Sequence, residues 1–312
     1  MIAHDVLAAV GGTPTVRLNR LVTADMAEVV VKLEGLNVGG SIKTRSAWHM
    51  IDQAIKRGRI KADTIICEPT SGNQGVGLAL VAAVRGMRCV IVMPDSVSAE
   101  RRQLIQAYGA QVISIHDQGD IGACIAQCLQ TALALAAADP RVYVPQQFTN
   151  PDNPAIHEST TGRELVEQVG RPIDGFCAGV GTGGTLTGIG RRLRRHNPAT
   201  VIWAVEPSRA AVLSGGPVAS HLQMGIGDGL IPDNLDQSLY SQVAVVSDEE
   251  AMTTARRLAR EEGLLAGVSG GSNVTAALRL AAQLGPGKLV ATILPDTGER
   301  YFSTPLYDQP SD

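Results

Sequence analysis

TIICEPTSGNQGVGLALVAAVRGMRCVIVMP, from Thr64 to Pro94, holds the pattern that decides the fold. An apolar, β-branched run ends in a turn rich in glycine and serine. A helical stretch follows from Asn73, stops near Gly86, and gives way to a second apolar run, RCVIVMP. The chain continues with a helical ERRQLIQAYG and a short QVISI. Short apolar runs alternating with amphipathic helices predict strands laid parallel, with helices covering both faces of the sheet. The second half repeats the theme with DGFCAGV, a helix through IGRRLRR, TVIWAVE, QVAVVS, a helix from about Asp248, and KLVATILP. The fold class is α/β, in two halves.

At 312 residues the chain can bury a substantial core. Its formal charge of −3 argues against a polyanionic partner such as nucleic acid, and the basic run RRLRRHN, Arg191 to Asn197, reads as a solvated helix end. Apolar residues make up 44%, yet no run approaches bilayer length, and MIAHDVLAAV does not look like a secretory leader. A soluble cytoplasmic protein with no membrane partner is expected. The five cysteines, Cys67, Cys89, Cys124, Cys128 and Cys177, sit mostly in apolar stretches and read as reduced, buried thiols. Cys124 and Cys128 share a helix face but lack further ligands, and the six histidines form no ligand-spaced pair, so neither a metal site nor a histidine base is assigned.

In open parallel sheets, ligands bind where strands turn into helices. Here those turns are GGSIK, EPTSGNQG, GVGTGGTLTG and GVSGGSN, the last read as preceding a helix. Glycine lets backbone amides approach a ligand, while Ser, Thr and Asn add donors, so turns converging on one cleft would hold a small anionic cofactor. The irregular stretch from Ala211 to Asn234 is long enough to be functional.

Two features need a chemical reading. Gly179, Gly181 and Gly184 spell GxGxxG, and Glu206 follows where it could hold a ribose hydroxyl, which suggests a dinucleotide site. Alternatively, GTGGT from Gly181 to Thr185 is a cup for one phosphate. Lys43 favours the second reading. It stands in the first turn of a helix, where the backbone dipole disfavours a cation. A lysine there beside a phosphate cup suits pyridoxal phosphate, since the helix end would favour the neutral, nucleophilic amine.

These residues resemble the cysteine synthase and cystathionine β-synthase group of fold-type II pyridoxal-phosphate enzymes. The likeness runs from GGTPTVRL through KLEGLN, GGSIK, EPTSGN, MPDSVSAERR, QQFTNPDNPAIHESTTG, GVGTGGTLTG, EPSRAAVLSGG, GIGDGLIP and EEGLLAGVSGGS to GERYFST. It implies two three-layer domains with mainly parallel twisted sheets, as in the tryptophan synthase β chain. Residues 35–146 would form a smaller, mobile domain, residues 1–34 and 147–312 a larger one, and a segment within Val90 to Ile115 would close over the site. Pyridoxal phosphate is the implied cofactor, a small-molecule amino acid and a small nucleophile the substrates, and a homodimer the assembly.

The resemblance also implies residue roles. Lys43 would form the Schiff base and, once released, remove the α-proton. Asn73 would bond the ring hydroxyl, Ser269 would face the pyridine nitrogen, and Gly181, Thr182, Gly183, Gly184 and Thr185 would hold the phosphate. Thr70, Ser71, Gln74 and Gln147 would grip the substrate carboxylate, with Gly225 lining the cleft. The implied reaction is β-replacement at an activated serine through an aminoacrylate, turning O-acetylserine and sulfide into cysteine and acetate. Homocysteine or an amine such as glutamate is the alternative nucleophile. A nicotinamide-dependent oxidoreductase built on Gly179 to Glu206 and a non-catalytic binding member are the readings from other classes. The chain departs from the family pattern at Val38, Thr44, Gln74 and Asp228. Gln74 and Asp228 are expected near the cleft, where the Asp228 carboxylate either pairs with the amino group of a larger nucleophile or, the favoured reading for a loop acid, faces solvent.

Overall fold

The computed structural model describes residues 2–70, 72–119 and 121–308. After a 3-10 turn at Val6–Ala9 come two strands that the sequence patterns do not predict, β1 (Thr15–Arg17) and β2 (Glu28–Leu33). Then come α1 (Lys43–Lys56), β3 (Ile65–Pro69), α2 (Asn73–Arg85), β4 (Arg88–Pro94), α3 (Ala99–Ala107) and β5 (Gln111–Ile115). The helix α2 stops where Gly86 turns left-handed at φ +66°, a conformation that glycine adopts without steric cost. After α4 (Ile121–Ala138) and β6 (Val142–Tyr143), the chain runs through α5 (Asp152–Ile156), a π-helical turn at His157–Thr161, and α6 (Gly162–Val169).

The remaining elements are β7 (Gly175–Gly179), α7 (Gly184–His196), β8 (Val201–Pro207), β9 (Gln242–Val246), α8 (Asp248–Glu262), α9 (Val268–Leu284) and β10 (Leu289–Leu294). A capping box starts α8, with the Ser247 hydroxyl accepting the Glu250 N–H and the Glu250 side chain returning to the Ser247 N–H. Such a cap is worth about 1 kcal/mol.

The strands form two sheets. The smaller is parallel throughout, in the order β5-β4-β3-β6. The larger runs β1-β2-β10-β7-β8-β9 and is parallel except for β1, which pairs antiparallel with β2. All of β10 is buried between β2 and β7, which explains its apolar sequence; its one hydroxyl, on Thr292, donates to the Cys177 carbonyl oxygen at 2.7 Å.

Alternation along each strand splits the core between faces. Val29 and Val31 pack with Trp203 and Leu280 under α8 and α9, while Val30 packs with Ile202, Phe176 and Leu186 under α7. In the small sheet Ile66 and Ile91 meet α1 and α2, and Cys67 and Val92 meet Cys124 and Cys128 of α4. Each such aliphatic side chain contributes roughly 1.5–3 kcal/mol by leaving water. All five cysteines are free and buried. Among the described residues no helix is long and apolar enough to cross a membrane.

The GVSGGSN stretch departs from the expectation of a turn before a helix, because Val268 to Asn273 already belong to α9. Close packing is the reason for its glycines. A methyl group at Gly271 would stand 1.9 Å from the Ala251 carbonyl oxygen, so Gly271 lets α9 lie directly on α8, while one at Gly267 would stand 2.1 Å from Asp296 Oδ1.

Candidate functional site

Strand ends from both sheets open onto one cavity of about 590 Å³, whose wall includes Pro69 of β3, Pro94 of β4, Gly179 of β7 and Ile293 of β10. This is the carboxyl-end location expected of ligand sites in parallel sheets.

Lys43 is the first residue of α1 and lines this cavity. Gly39 and Gly40, both at positive φ, turn the chain into the helix. Burial pushes the Lys43 amine below its ordinary pKa, against the pull of the Asp228 and Asp296 carboxylates. A lysine so placed is more readily neutral, the form in which it acts as nucleophile or base.

The GTGGT segment forms another part of the wall. Gly181, Thr182, Gly183 and Thr185 line the cavity, and α7 begins at Gly184 after Gly183 turns left-handed at φ +75°. The segment's three glycines leave no room for a side chain at their positions. A methyl group would lie 2.5 Å from the Gly225 carbonyl oxygen at Gly181, 2.9 Å from the Leu235 backbone at Gly183, and 2.2 Å from Asn153 Oδ1 at Gly184. The first-turn N–H groups of α7 have no partner within the helix, so the cup presents donors and a positive dipole end to an anion.

Thr70, Asn73, Gln74, Gln147, Gly225 and Ser269 line the same cavity, whereas Ser71 lies outside the described residues. Asn73 is already engaged, its Nδ2 donating to Asp296 Oδ2 at 2.6 Å and its Oδ1 accepting from Arg300 Nη1 at 2.9 Å. One N–H of its amide is left for a ligand. Gln74 Oε1 accepts the Ser46 hydroxyl at 3.0 Å, and among the described residues its buried Nε2 has no partner. Ser269 is the second residue of α9 rather than its cap, which is Gly267.

Asp228 corrects the expectation of a solvent-facing acid. It is half-buried, but what it faces is the cavity shared with Lys43, and burial raises its carboxyl pKa against the attraction of Lys43 and His221. The chain between Gly225 and Pro232 lines the cavity, so an acid in this loop is drawn inside. Glu206 speaks against the dinucleotide reading. It is 1% exposed, and its carboxylate accepts the backbone N–H groups of Leu213 and Ser214, leaving it no ribose to hold.

Several neighbours were not legible as site residues. Tyr301 donates its hydroxyl to Asp296 Oδ2 at 2.6 Å and accepts from Arg101 Nη2 at 2.7 Å, so a buried network joins the cavity-lining Arg101 to Asn73. Asn153 Nδ2 donates to Thr182 Oγ1 at 2.9 Å and steadies the cup. Their partners lie between 5 and more than 200 residues away, and no local spacing announces them.

The family model for pyridoxal-phosphate dependent enzymes matches residues 6–296. Cysteine synthase of Staphylococcus aureus is 46% identical over 299 residues, which cover 96% of this chain and 95% of that protein. Among solved structures, an O-ureido-L-serine synthase superposes with TM-score 0.94 at 40% identity, covering 100% of this chain and 98% of the other. The O-acetylserine-dependent cystathionine beta-synthase of Helicobacter pylori superposes with TM-score 0.93 at 36% identity, covering 99% and 100%.

Proposed function

The chain belongs to the pyridoxal-phosphate-dependent enzymes, and on that footing we propose that it replaces the β-substituent of O-acetylserine with sulfide, releasing cysteine and acetate. The observation that carries this reading is Lys43, an amine held below its ordinary pKa by burial, sharing one cavity with a cup whose glycines admit no side chain at their positions.

The residues fit the cofactor. The cup of Gly181, Thr182, Gly183, Gly184 and Thr185 would hold the phosphate at the positive end of α7, Lys43 the aldehyde carbon, Ser269 the ring nitrogen, and the remaining N–H of Asn73 the ring hydroxyl. When bound, pyridoxal phosphate supplies an electron sink for charge developing at the amino acid's α-carbon. A hydroxyl such as Ser269 does not hold a proton on the ring nitrogen as a carboxylate would, which favours elimination over transamination.

The chain's own residues do the rest. Thr70, Gln74 and Gln147, with Ser71, bind the donor's carboxylate beside the N-terminus of α2, whose dipole favours an anion. Lys43 in its neutral form takes the α-proton, and Gly225 and its neighbours wall the cleft against water. Residues 35–146 act as the smaller domain that closes on residues 1–34 and 147–312. We take the working unit to be a cytoplasmic homodimer, a setting supported by the five free, buried thiols. Incubation of the purified enzyme with O-acetylserine and sulfide, with mass detection of cysteine, tests the reaction, and absence of cysteine retires it.

A second reading, the same replacement with a different nucleophile, is favoured by Asp228. A carboxylate in the cavity repels the hydrosulfide anion and attracts an amine. The solved relatives named for O-ureido-L-serine and cystathionine synthesis support acceptor variety on this fold.

A further inference from the structure

Glu68, in β3, has no solvent exposure, yet its carboxylate is engaged at both oxygens. Oε1 accepts the backbone N–H of Gln147 at 2.8 Å, and Oε2 accepts that of Gln146 at 2.9 Å. Gln146 sits at φ +57°, a left-handed backbone that side-chain-bearing residues rarely adopt and that persists where surrounding bonds over-determine it. Here the carboxylate bonds on the N–H side act together with the N–H groups of Thr149 and Asn150, which the Gln146 carbonyl oxygen accepts at 3.1 and 3.0 Å.

The carbonyl end of the Gln147 backbone is held as well. Its oxygen accepts Asn153 Nδ2 and Asn234 Nδ2, each at 2.8 Å, and Asn153 Nδ2 also reaches Thr182 of the cup. The backbone of Gln147 is thus clamped between the small sheet and the elements around α7. The Gln147 side chain lines the cavity, as does Thr70, two residues beyond Glu68.

We propose that Glu68 is a positioning residue for the donor amino acid: by clamping the Gln146–Gln147 backbone it sets the Gln147 side chain at the donor's carboxylate. This rests on the substrate role given to Gln147 above. Glu68 touches neither donor nor cofactor and acts through that peptide.

Burial pushes the Glu68 carboxyl up to about 7, with the two amide bonds pulling it down. The titratable groups on which its charge acts are the thiols of Cys67, its neighbour on β3, and of Cys89 on β4, and the phenol of Tyr143 on β6; burial raises all three, so they stay neutral there. On α4, Cys128 beside Cys67 is raised to about 12. Protonating Glu68 turns one acceptor into an O–H aimed at an N–H. The clamp is therefore whole above about pH 7 and loosens below it.

The test compares the holoenzyme with its Glu68→Gln variant, measuring KM and kcat for O-acetylserine from pH 6 to 8. At pH 8 the variant's KM is expected to be about tenfold higher with kcat nearly unchanged, the scale of one lost charge-assisted hydrogen bond. The ratio of the two KM values should shrink toward one as the pH falls and the parent's clamp is protonated. In a Gln147→Ala background, the Glu68 substitution should change KM no further. A KM ratio near one at pH 8, a ratio constant down to pH 6, or an undiminished effect without Gln147 overturns the proposal. Cofactor absorption and the Kd of L-serine by calorimetry accompany each variant. A parent enzyme that binds cofactor and L-serine but turns over no O-acetylserine refutes the reaction assigned above, and the L-serine Kd then decides the role of Glu68 by the same ratios.

Discussion

Gly77 of α2 lies so close to Lys43 that a methyl group added to it would stand 3.0 Å from the lysine's carbonyl oxygen and 2.9 Å from Ala47 Cβ. The helix carrying the amine is thereby seated directly on the helix whose N-terminus holds Asn73 and Gln74. Gly77→Ala would force the two apart at about 1–3 kcal/mol, more than the roughly 1 kcal/mol that alanine returns in helix propensity. A Tm lowered by a few degrees and a reduced kcat are expected, and an unchanged or raised Tm would count against this packing.

The cup allows a cleaner separation of binding from folding. At Gly181 a methyl group would meet the Gly225 carbonyl oxygen at 2.5 Å and Asp228 Oδ2 at 3.3 Å, both on the cavity wall. Gly181→Ala should weaken pyridoxal phosphate at least tenfold in equilibrium dialysis, while circular dichroism shows the fold kept.

Much of this arrangement was legible because local chemistry and tertiary role coincide. The end of α2 at Gly86, the start of α1 at Lys43 and the alternation from Ile65 to Ile115 all follow from residue type and spacing. Other parts depend on distant partners. β1 has three residues and little burial, and the EVVVKL run of β2 carries a charged residue at its start and another, Lys32, inside it, buried because Glu164 lies 3.0 Å away. Asp228 is drawn inward by the course of its loop, and the glycines of GVSGGSN serve helix packing rather than a turn. Glu68 leaves no local signature, because its partners are backbone amides of residues 146 and 147.

The charge network behind α1 contributes to the acid stability. Burial works against ionising Glu164, but Arg45 at 2.7 Å and Lys32 prevail and hold its carboxyl down at about 2, from an ordinary 4.5. A folded-state pKa depressed in this way stabilises fully above pH 4.5, and the contribution is lost as pH falls through about 2. It amounts to about 3 kcal/mol. Urea titrations between pH 6 and pH 2 should show stability declining through this window, with a shallower decline in Glu164→Gln; equal slopes would contradict the assignment.

Asp228 bears on the choice of acceptor. Asp228→Ala removes a carboxylate from the cavity that receives the nucleophile and should raise kcat/KM for sulfide about tenfold, while lowering it for amine acceptors. Steady-state assays on both acceptor types check this, and parallel changes in the two would refute a charge-based selection.

In the holoenzyme the amine of Lys43 is expected to be bonded to pyridoxal phosphate. Borohydride reduction of the holoenzyme followed by peptide mass spectrometry tests it directly. The predicted result is a pyridoxyl phosphate fixed on the peptide containing Lys43 and absent from Lys43→Ala. Label on another lysine, or equal label in the variant, would contradict the account.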